Sequence, residues 1–403
     1  MRLTMKERQS LVRVTADRYQ KAQKKEKGNI LDEFMESTGY TRCYASYLLS
    51  QHGRPRRVDS KRTLIGDVSK RVRKKREPVY GPEVVQALKV VWMNLDFVCG
   101  KRLKAALTET VSVMKKWNEI NVSDQTKGKL ERISAATIDR LLAPERKRLE
   151  LKSRSGTKPG TLLKHQVEVR TFAQWDESKP GFVEVDLVSH GGGSERGDFC
   201  QTLCVTDVSS GWTEAQAVKN KAQVWVFEAL REIQQRLPFK LLGIDSDNGS
   251  EFINGHLIAY CKQQGITFTR SRPYRKNDNC FVEEKNYTVV RRAVGYMRHD
   301  TPVELQILNR LYFYLRLRTN YFLPSMKLAS KQRFGSKVVK RYYAPETPCR
   351  RLLRSTTISS RDKQQLRSQY RELNPAQLTR EIARLQHALL KAVQKKHRKT
   401  RAA

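Results

Sequence analysis

Near residue 181 the hydrophobic period of the chain changes from that of helices to that of strands. Residues 181–190, GFVEVDLVSH, alternate as a strand does, and residues 199–218 read as two strands joined at Ser-Ser-Gly. The pattern then predicts a helix (221–237), a strand (241–245), a helix (251–265), a strand (266–270) and, past a basic loop, a long helix (280–297). This order predicts a mixed α/β sheet flanked by helices.

The charge of the chain is unevenly distributed between its centre and its flanks. The 403 residues include 79 Lys and Arg against 41 Asp and Glu, a net charge of +38. Residues 171–297 include 15 Lys and Arg and 16 Asp and Glu, a net charge of −1. The flanks therefore contain 64 Lys and Arg and 25 Asp and Glu, a net charge of +39. A surplus of this size attracts a polyanion at long range. We therefore predict a nucleic-acid partner, held mainly by the flanks.

Length and composition narrow the class further. A chain of this length exceeds one ordinary hydrophobic core and predicts a multidomain protein. The seven cysteines are scattered without the paired spacing of a zinc site, which indicates reduced thiols. The start, MRLTMKERQS, has no apolar signal region, and no run is long enough to span a membrane. We expect a soluble, cytoplasmic, nucleoid-associated protein of bacterial type.

Residues 1–60 predict a helical DNA-binding domain. Apolar residues from Ile30 to Met35 form one helix face, Gly39 breaks it, and Tyr44 to Leu49 resume it after Thr41. Helix, short turn and helix is the outline of a helix-turn-helix, although a plain helical hairpin has the same pattern. In the first interpretation the contacts to phosphate or bases are made by Arg42, Arg56 and Arg57.

A second helical block, residues 77–150, follows a basic stretch. Six of the seven residues from 70 to 76 are Lys or Arg, which suits a linker that tracks DNA and equally a solvated tether. Within the block, Ser134 begins a short helix that carries Arg140 and resembles a recognition helix. We predict a second DNA-binding module here, with Arg140 as a contact. The Gly-, Ser- and Pro-rich residues 153–164 mark its boundary.

Three acidic positions lie on the predicted α/β scaffold. Asp186 is on the first strand, Asp247 follows the fourth, and Glu283 is near the start of the closing helix, with 35 residues between the last two. Two neighbouring acids are alternative candidates for the last two positions. They are Asp245, two residues before Asp247, and Glu284, one helical step of about 100° from Glu283. Glu184 is a further acid that could border the same place.

These blocks resemble a known family. VEVDLV, DSDNGSEF and RPYRKNDNCFVEEKN are similar to the three signature blocks of the DDE superfamily of insertion-sequence transposases and retroviral integrases, including the gap between the last two. The resemblance covers about residues 165–300. It implies an RNase H-like catalytic core, a metal-binding triad of Asp186, Asp247 and Glu283, and a homo-oligomer on DNA. No His-His-Cys-Cys zinc site precedes the core, which favours the insertion-sequence branch.

The chemistry of that family needs such carboxylates. Two Mg²⁺ ions about 3.5 to 4 Å apart can neutralise the attacking and leaving oxygens of a phosphodiester together. Mg²⁺ takes oxygen ligands, and Mn²⁺ is a plausible substitute. Near the triad, the basic loop 269–277 and the helix face of Glu283 predict DNA contacts, which are Arg270, Arg272, Tyr274, Arg275, Lys276 and Asn286.

The last region, residues 301–403, is basic. A long helix with an aromatic face comes first, then Lys and Arg alternate with apolar residues, in the place where integrases have a small basic β-barrel. A terminal helix carries an apolar stripe from Leu378 to Ala392, which suits packing on its own chain and dimerisation equally.

The combined reading is a transposase or integrase that cuts the ends of a mobile element and transfers its strands into target double-stranded DNA. Two alternatives remain at this stage. One is a sequence-specific DNA-binding regulator with an inactive core, and the other is an RNase H-type nuclease. An intact triad argues against the first, and tandem helix-turn-helix modules argue against the second.

Overall fold

The computed structural model describes residues 3–57, 63–65, 78–149, 178–247, 249, 251–252, 255–270 and 280–402. The chain divides into two compact units, Met1–Val79 and Tyr80–Ala403. No helix in the described ranges is both long enough and apolar enough to cross a bilayer.

The first unit is helical, as predicted for residues 1–60. It contains helices α1 (Met5–Lys21), α2 (Lys24–Thr38) and α3 (Arg42–Gln51), followed by a short hairpin of β1 (Pro55–Arg57) and β2 (Thr63–Ile65). Gly39 ends α2 in the left-handed region, with φ 69°, where a residue without Cβ is least strained. Val12, Ile30, Phe34 and Leu48 are among the side chains of its core.

The second unit begins with the helices of the predicted module 77–150. They are α4 (Pro82–Asn94), α5 (Gly100–Lys116), α6 (Asp124–Arg132) and α7 (Ala135–Leu149). Their apolar side chains, such as Leu88 and Leu107, belong to the same hydrophobic cluster as Val185 and Leu203 of the sheet. The block therefore shares a hydrophobic cluster with the sheet within the second compact unit. Its role as a second DNA-binding module stays a prediction.

A five-stranded sheet forms the centre of this unit. Its strands are β3 (Phe182–Ser189), β4 (Gln201–Asp207), β5 (Thr213–Val218), β6 (Gly243–Ser246) and β7 (Thr267–Arg270), in the spatial order β5-β4-β3-β6-β7. The first three pair antiparallel, whereas β3, β6 and β7 pair in parallel. Helices α8 (Gln223–Arg236) and α9 (Gly255–Gln264) make the crossovers. The order of elements predicted for residues 181–270 is confirmed.

The closing helix differs from the single helix expected over residues 280–297. It consists of α10 (Cys280–Lys285), a π-helical segment (Asn286–Arg291) and a last turn, α11 (Arg292–Val294). Gly295, with φ 72°, ends it. A π-helical turn is rare and often occurs at a functional site.

The C-terminal region contains helices and one hairpin. Its elements are α12 (Pro302–Phe322), β8 (Leu328–Phe334), β9 (Lys337–Tyr342), α13 (Pro348–Arg354), α14 (Ser360–Glu372) and α15 (Pro375–Ala402). In the described part of this region, the segment compared with a small β-barrel forms a two-stranded hairpin with mostly exposed side chains. Ile382, Leu385 and Leu389 of α15 pack with Leu308 and Leu311 of α12. The stripe of the terminal helix thus packs on its own chain.

Candidate active site

The parallel pairing of β3 and β6 brings two of the predicted triad residues together. Val185 is the register partner of Ser246, so that the residues that follow them, Asp186 and Asp247, come to the same level at this end of the strand pair. Asp247 directly follows β6, at the carboxyl end of that strand. Side chains two apart on a strand share a face, so Glu184 and Asp186 lie on one side of β3.

Asp186 is a strongly perturbed carboxyl. Its Oδ1 accepts a hydrogen bond from the backbone N–H of Leu187 at 2.8 Å, and its Oδ2 accepts one from the Asn286 amide at 2.6 Å. Burial, followed by the negative charge of Asp247 and a smaller contribution from Glu283, raises the pKa of Asp186 to about 7. The three predicted acids are therefore electrostatic neighbours.

Asp247 stands in the turn after β6. Burial is the main cause that raises its pKa, the negative charge of Glu251 adds to it, and the backbone N–H of Gly249 donates a hydrogen bond of 3.0 Å to its Oδ1. This contact explains why the Asp-Asn-Gly sequence suits the position, since an Asp side chain bonds to its own backbone two residues on.

Glu184 fixes the start of the helix that carries Glu283. Its side chain is buried, and its Oε2 accepts hydrogen bonds from the backbone N–H groups of Phe281 (2.9 Å) and Val282 (3.0 Å). The first N–H groups of a helix have no partner within the helix, so a carboxylate is a suitable acceptor. Glu184 is thus a structural link between β3 and α10. In the sequence, the sign that Glu184 lies near the site was the alternation of β3, which places Glu184 and Asp186 on the same face.

The two competing acids have different surroundings. Asp245 is fully buried, is the register partner of Glu184 and accepts a hydrogen bond of 2.6 Å from the Thr269 hydroxyl. Glu284 is exposed, and its charge acts on Arg102 and Lys285 rather than on Asp186. Asp245 therefore lies within the sheet, and the electrostatic neighbours of Asp186 are Asp247 and Glu283.

The donor set has the chemistry that a hard divalent cation requires. Three carboxylates interact, and Asn286 Oδ1 is buried without a hydrogen-bond donor in the described part of the chain. Oxygen ligands of this kind suit Mg²⁺. Among the described residues, however, no three His, Cys, Asp or Glu side chains are placed to hold one ion together. Asp186 is instead hydrogen-bonded to the Asn286 amide. Metal binding would therefore require the carboxylates of Asp186, Asp247 and Glu283 to move closer together.

The residues predicted to contact DNA have varied environments. Arg42 is exposed and paired with Asp32, Arg57 is exposed, and Arg140 is exposed with its guanidinium donating to the Thr137 hydroxyl at 3.0 Å. Arg270 is buried at the end of β7. Outside the described residues lie the Arg56 side chain, Arg272, Tyr274, Arg275 and Lys276.

Three comparisons relate the chain to known proteins. The model of the integrase core domain matches residues 176–276. An uncharacterised protein of Sinorhizobium fredii, y4rM, is 39% identical over 350 residues, which are 87% of this chain and 96% of that protein. The catalytic core of HTLV-2 integrase in complex with magnesium is similar over 28% of this chain and 68% of its own, with 17% identity and a TM-score of 0.23.

The core of BIV integrase is similar over 42% of this chain and 90% of its own, with 19% identity and a TM-score of 0.25. At such TM-scores the structural likeness is too weak to support an argument. The family relationship rests on the sequence matches.

Proposed function

Because the chain belongs to the DDE family of integrases and transposases, we propose that it is a DNA transposase. In this proposal it cuts at the ends of a mobile element and joins the freed 3′-hydroxyl to target DNA by in-line phosphoryl transfer. Asp186, Asp247 and Glu283 are its catalytic and metal-binding residues, and double-stranded DNA is its substrate.

The observation that carries this proposal is the pairing of β3 with β6, which brings Asp186 and Asp247 to the same level at one end of the strand pair, inside the segment that matches the integrase core domain. Burial and the charges of Asp247 and Glu283 raise the pKa of Asp186 to about 7, an arrangement that opposes ionisation and is typical of a functional rather than a purely structural acid. Bound Mg²⁺ would neutralise the charge that develops on the phosphodiester. Cation binding and ionisation of Asp186 would then favour each other, because a ligand carboxyl must lose its proton.

The chain's own groups prepare this site. The Asn286 amide orients Asp186 through a hydrogen bond of 2.6 Å, and Glu184 holds the first turn of α10, which carries Glu283. The flanks supply the positive charge that holds the polyanion, whereas residues 171–297 have a net charge of −1. This division lets the carboxylates attract cations while cationic flanks attract DNA.

A joining assay tests the proposal. The gene and its flanking DNA would supply the substrate, and the purified full chain would be assayed with Mg²⁺ or Mn²⁺. Asp186→Asn, Asp247→Asn and Glu283→Gln are each expected to abolish cleavage and joining and to leave DNA binding intact. Glu228→Gln, an exposed acid on α8, is the matched control and should retain activity.

Glu284→Gln separates the two adjacent glutamates, because Glu284 is exposed and acts on a different group of charges. It should retain joining. Joining by any of the three triad variants at the rate of the unchanged chain would refute the assignment of that residue.

A further inference from the structure

A second charged site lies on the other side of the helix that carries Glu283. A cavity of about 270 Å³ is bounded by the turn between α4 and α5, the closing helix and α12. Lys285, Thr288, Val289 and Arg292 line it, and this spacing is one helix face. Lys285 is two residues, about 200°, from Glu283, so the cavity is separate from the carboxylates beside Asp186.

The lining of the cavity is strongly cationic. Among the described residues, its charged lining consists of four cations and one acid, which are Arg102, Lys285, Arg292, Arg318 and Asp96. Asp96 pairs with Arg292 at 3.1 Å and, less closely, with Arg318 at 3.5 Å. Even when the nearby exposed Glu284 is counted with Asp96, four cations face two acids.

Two of these cations are more than nine-tenths buried. Lys285 is 9% exposed and Arg318 is 8% exposed. In the ranges that the structure describes, the Lys285 ammonium has neither a hydrogen bond nor an ion pair, and Arg318 Nε has no acceptor. Burial lowers the pKa of Arg318 and of Arg102. A buried charge without a close partner is costly, so the folded chain maintains this arrangement at the expense of stability.

The backbone around the cavity is also unusual. Asp96 and Phe97 adopt φ angles of 56° and 57°, in the left-handed region that residues with a Cβ seldom occupy. Such strain clusters at ligand sites, where the surrounding structure holds it in place. The π-helical segment, residues 286–291, supplies Thr288 and Val289 to the same wall. Cationic surplus, strained turn and π-helix thus coincide at one cavity.

We propose that this cavity binds a phosphate group, either a free phosphate monoester or one diester of a DNA strand. Three guanidinium groups and an ammonium provide the planar and point-charge donors that bind phosphate oxygens. A doubly charged tetrahedral anion would also offset the net surplus that Asp96 and Glu284 leave. The inference goes beyond the proposed transposition and does not depend on the triad.

The test uses the full chain in metal-free buffer at constant ionic strength, titrated calorimetrically with inorganic phosphate and, separately, with chloride. Lys285→Met is expected to weaken phosphate binding by about tenfold or more, because it removes a charged donor to the phosphate oxygens. Without phosphate the same variant should melt at no lower temperature, since it removes a buried charge. Lys262→Met, on the exposed side of α9, is the matched control and should bind as the unchanged chain does.

Arg292→Gln, at the more exposed rim of the cavity, serves if Lys285→Met does not fold, and should weaken phosphate binding as well. Equal phosphate affinity in the unchanged chain, the control and both cavity variants would overturn the inference. So would a phosphate response that chloride reproduces.

The source of the phosphate is distinguished with a labelled DNA duplex of arbitrary sequence. If a DNA diester occupies the cavity, Lys285→Met should reduce the slope of log affinity against log salt by about 0.9, as expected for one lost phosphate contact. If a free monoester occupies it, that slope should match that of Lys262→Met while phosphate affinity still falls. Failure of both measurements would refute the site and leave the joining assay unaffected.

Discussion

The acidic edge of the sheet and the start of α12 each withdraw a carboxylate from solvent, and their pKa values shift in opposite directions. Burial and the charges of other acids raise the pKa of Asp186 to about 7. Burial would also raise the pKa of Glu304, but the His299 ring 3.6 Å away and hydrogen bonds from the Asp300 N–H, Lys396 and Thr301 hold this pKa well below its usual range. Lys396 Nζ lies 3.0 Å from Glu304 Oε1 and so joins α15 to α12.

The difference shows how to separate structural from functional acids in this chain. Glu304 completes a capping box with Thr301, and its hydrogen bonds from Thr301, the Asp300 N–H and Lys396 outweigh the repulsion of the neighbouring Asp300 carboxylate. Among the described residues, Asp186 accepts two hydrogen bonds, and its charged neighbours are the acids Asp247 and Glu283. An acid paired in this way contributes to folding, whereas an acid held among acids gains most from a cation.

The largest expected effect is at Glu304. Glu304→Ala should lower the free energy of unfolding by about 3 to 5 kcal/mol, because it removes the cap of α12 and the buried carboxylate that Lys396 contacts, so that Lys396 keeps the more exposed Asp300 as its acidic partner. Glu304→Gln is the control that keeps an oxygen for the Thr301 contacts and should cost less. Calorimetric melting of the full chain measures both, and an unchanged melting temperature in Glu304→Ala would contradict a structural role.

Substitution of Asp186 should change the stability of the chain in the opposite direction. The folded pKa of Asp186, about 7, lies above the unfolded value of 3.8, so its ionisation removes stability as pH rises from about 4 to 7. Asp186→Asn should therefore stabilise the metal-free chain increasingly over that window, by about 2 to 4 kcal/mol at its upper end, given about 1.4 kcal/mol per pKa unit. Melting in EDTA from pH 4 to 8 checks this. A gain independent of pH would show that the charge is not responsible.

The contribution of Glu304 to stability has the opposite pH dependence. Its folded pKa is depressed, so its stabilisation is fully present above the unfolded value of 4.5 and is lost as pH falls below it. Between pH 5 and 7 the difference between Glu304→Ala and the unchanged chain should thus be nearly constant.

The smallest effect is expected at Glu184, which shares features of both regions. It is buried near Asp186 but accepts two backbone hydrogen bonds from α10. Glu184→Gln should cost about 1 kcal/mol per bond, the difference between charged and neutral acceptors. If the residue also positions Glu283, the joining rate should fall while DNA affinity does not. Unchanged joining together with lost stability would leave it a purely structural cap.

The order of elements from residue 181 to residue 270 was predictable because strand and helix periods are local properties of the sequence. The closing helix was predicted as continuous, since an apolar pattern cannot register the extra residue of a π-helical turn. Likewise, the apolar faces of α4 to α7 have the same pattern whether the four helices form a core of their own or share a hydrophobic cluster with later parts of the chain. The segment 328–342 alternates as strands do, but alternation does not specify how many strands pair.

The candidate site divides in the same way. The alternation of β3 and the turn residues after β6 were enough to select Asp186 and Asp247, because both signals lie within a few residues of each acid. The contact of Glu184 with Val282, 98 residues away, and the enclosure of Lys285 with Arg102 and Arg318 depend on pairing and packing between distant elements. No local pattern encodes such contacts, since the burial and the charge of each group are set by neighbours that only the folded chain brings together.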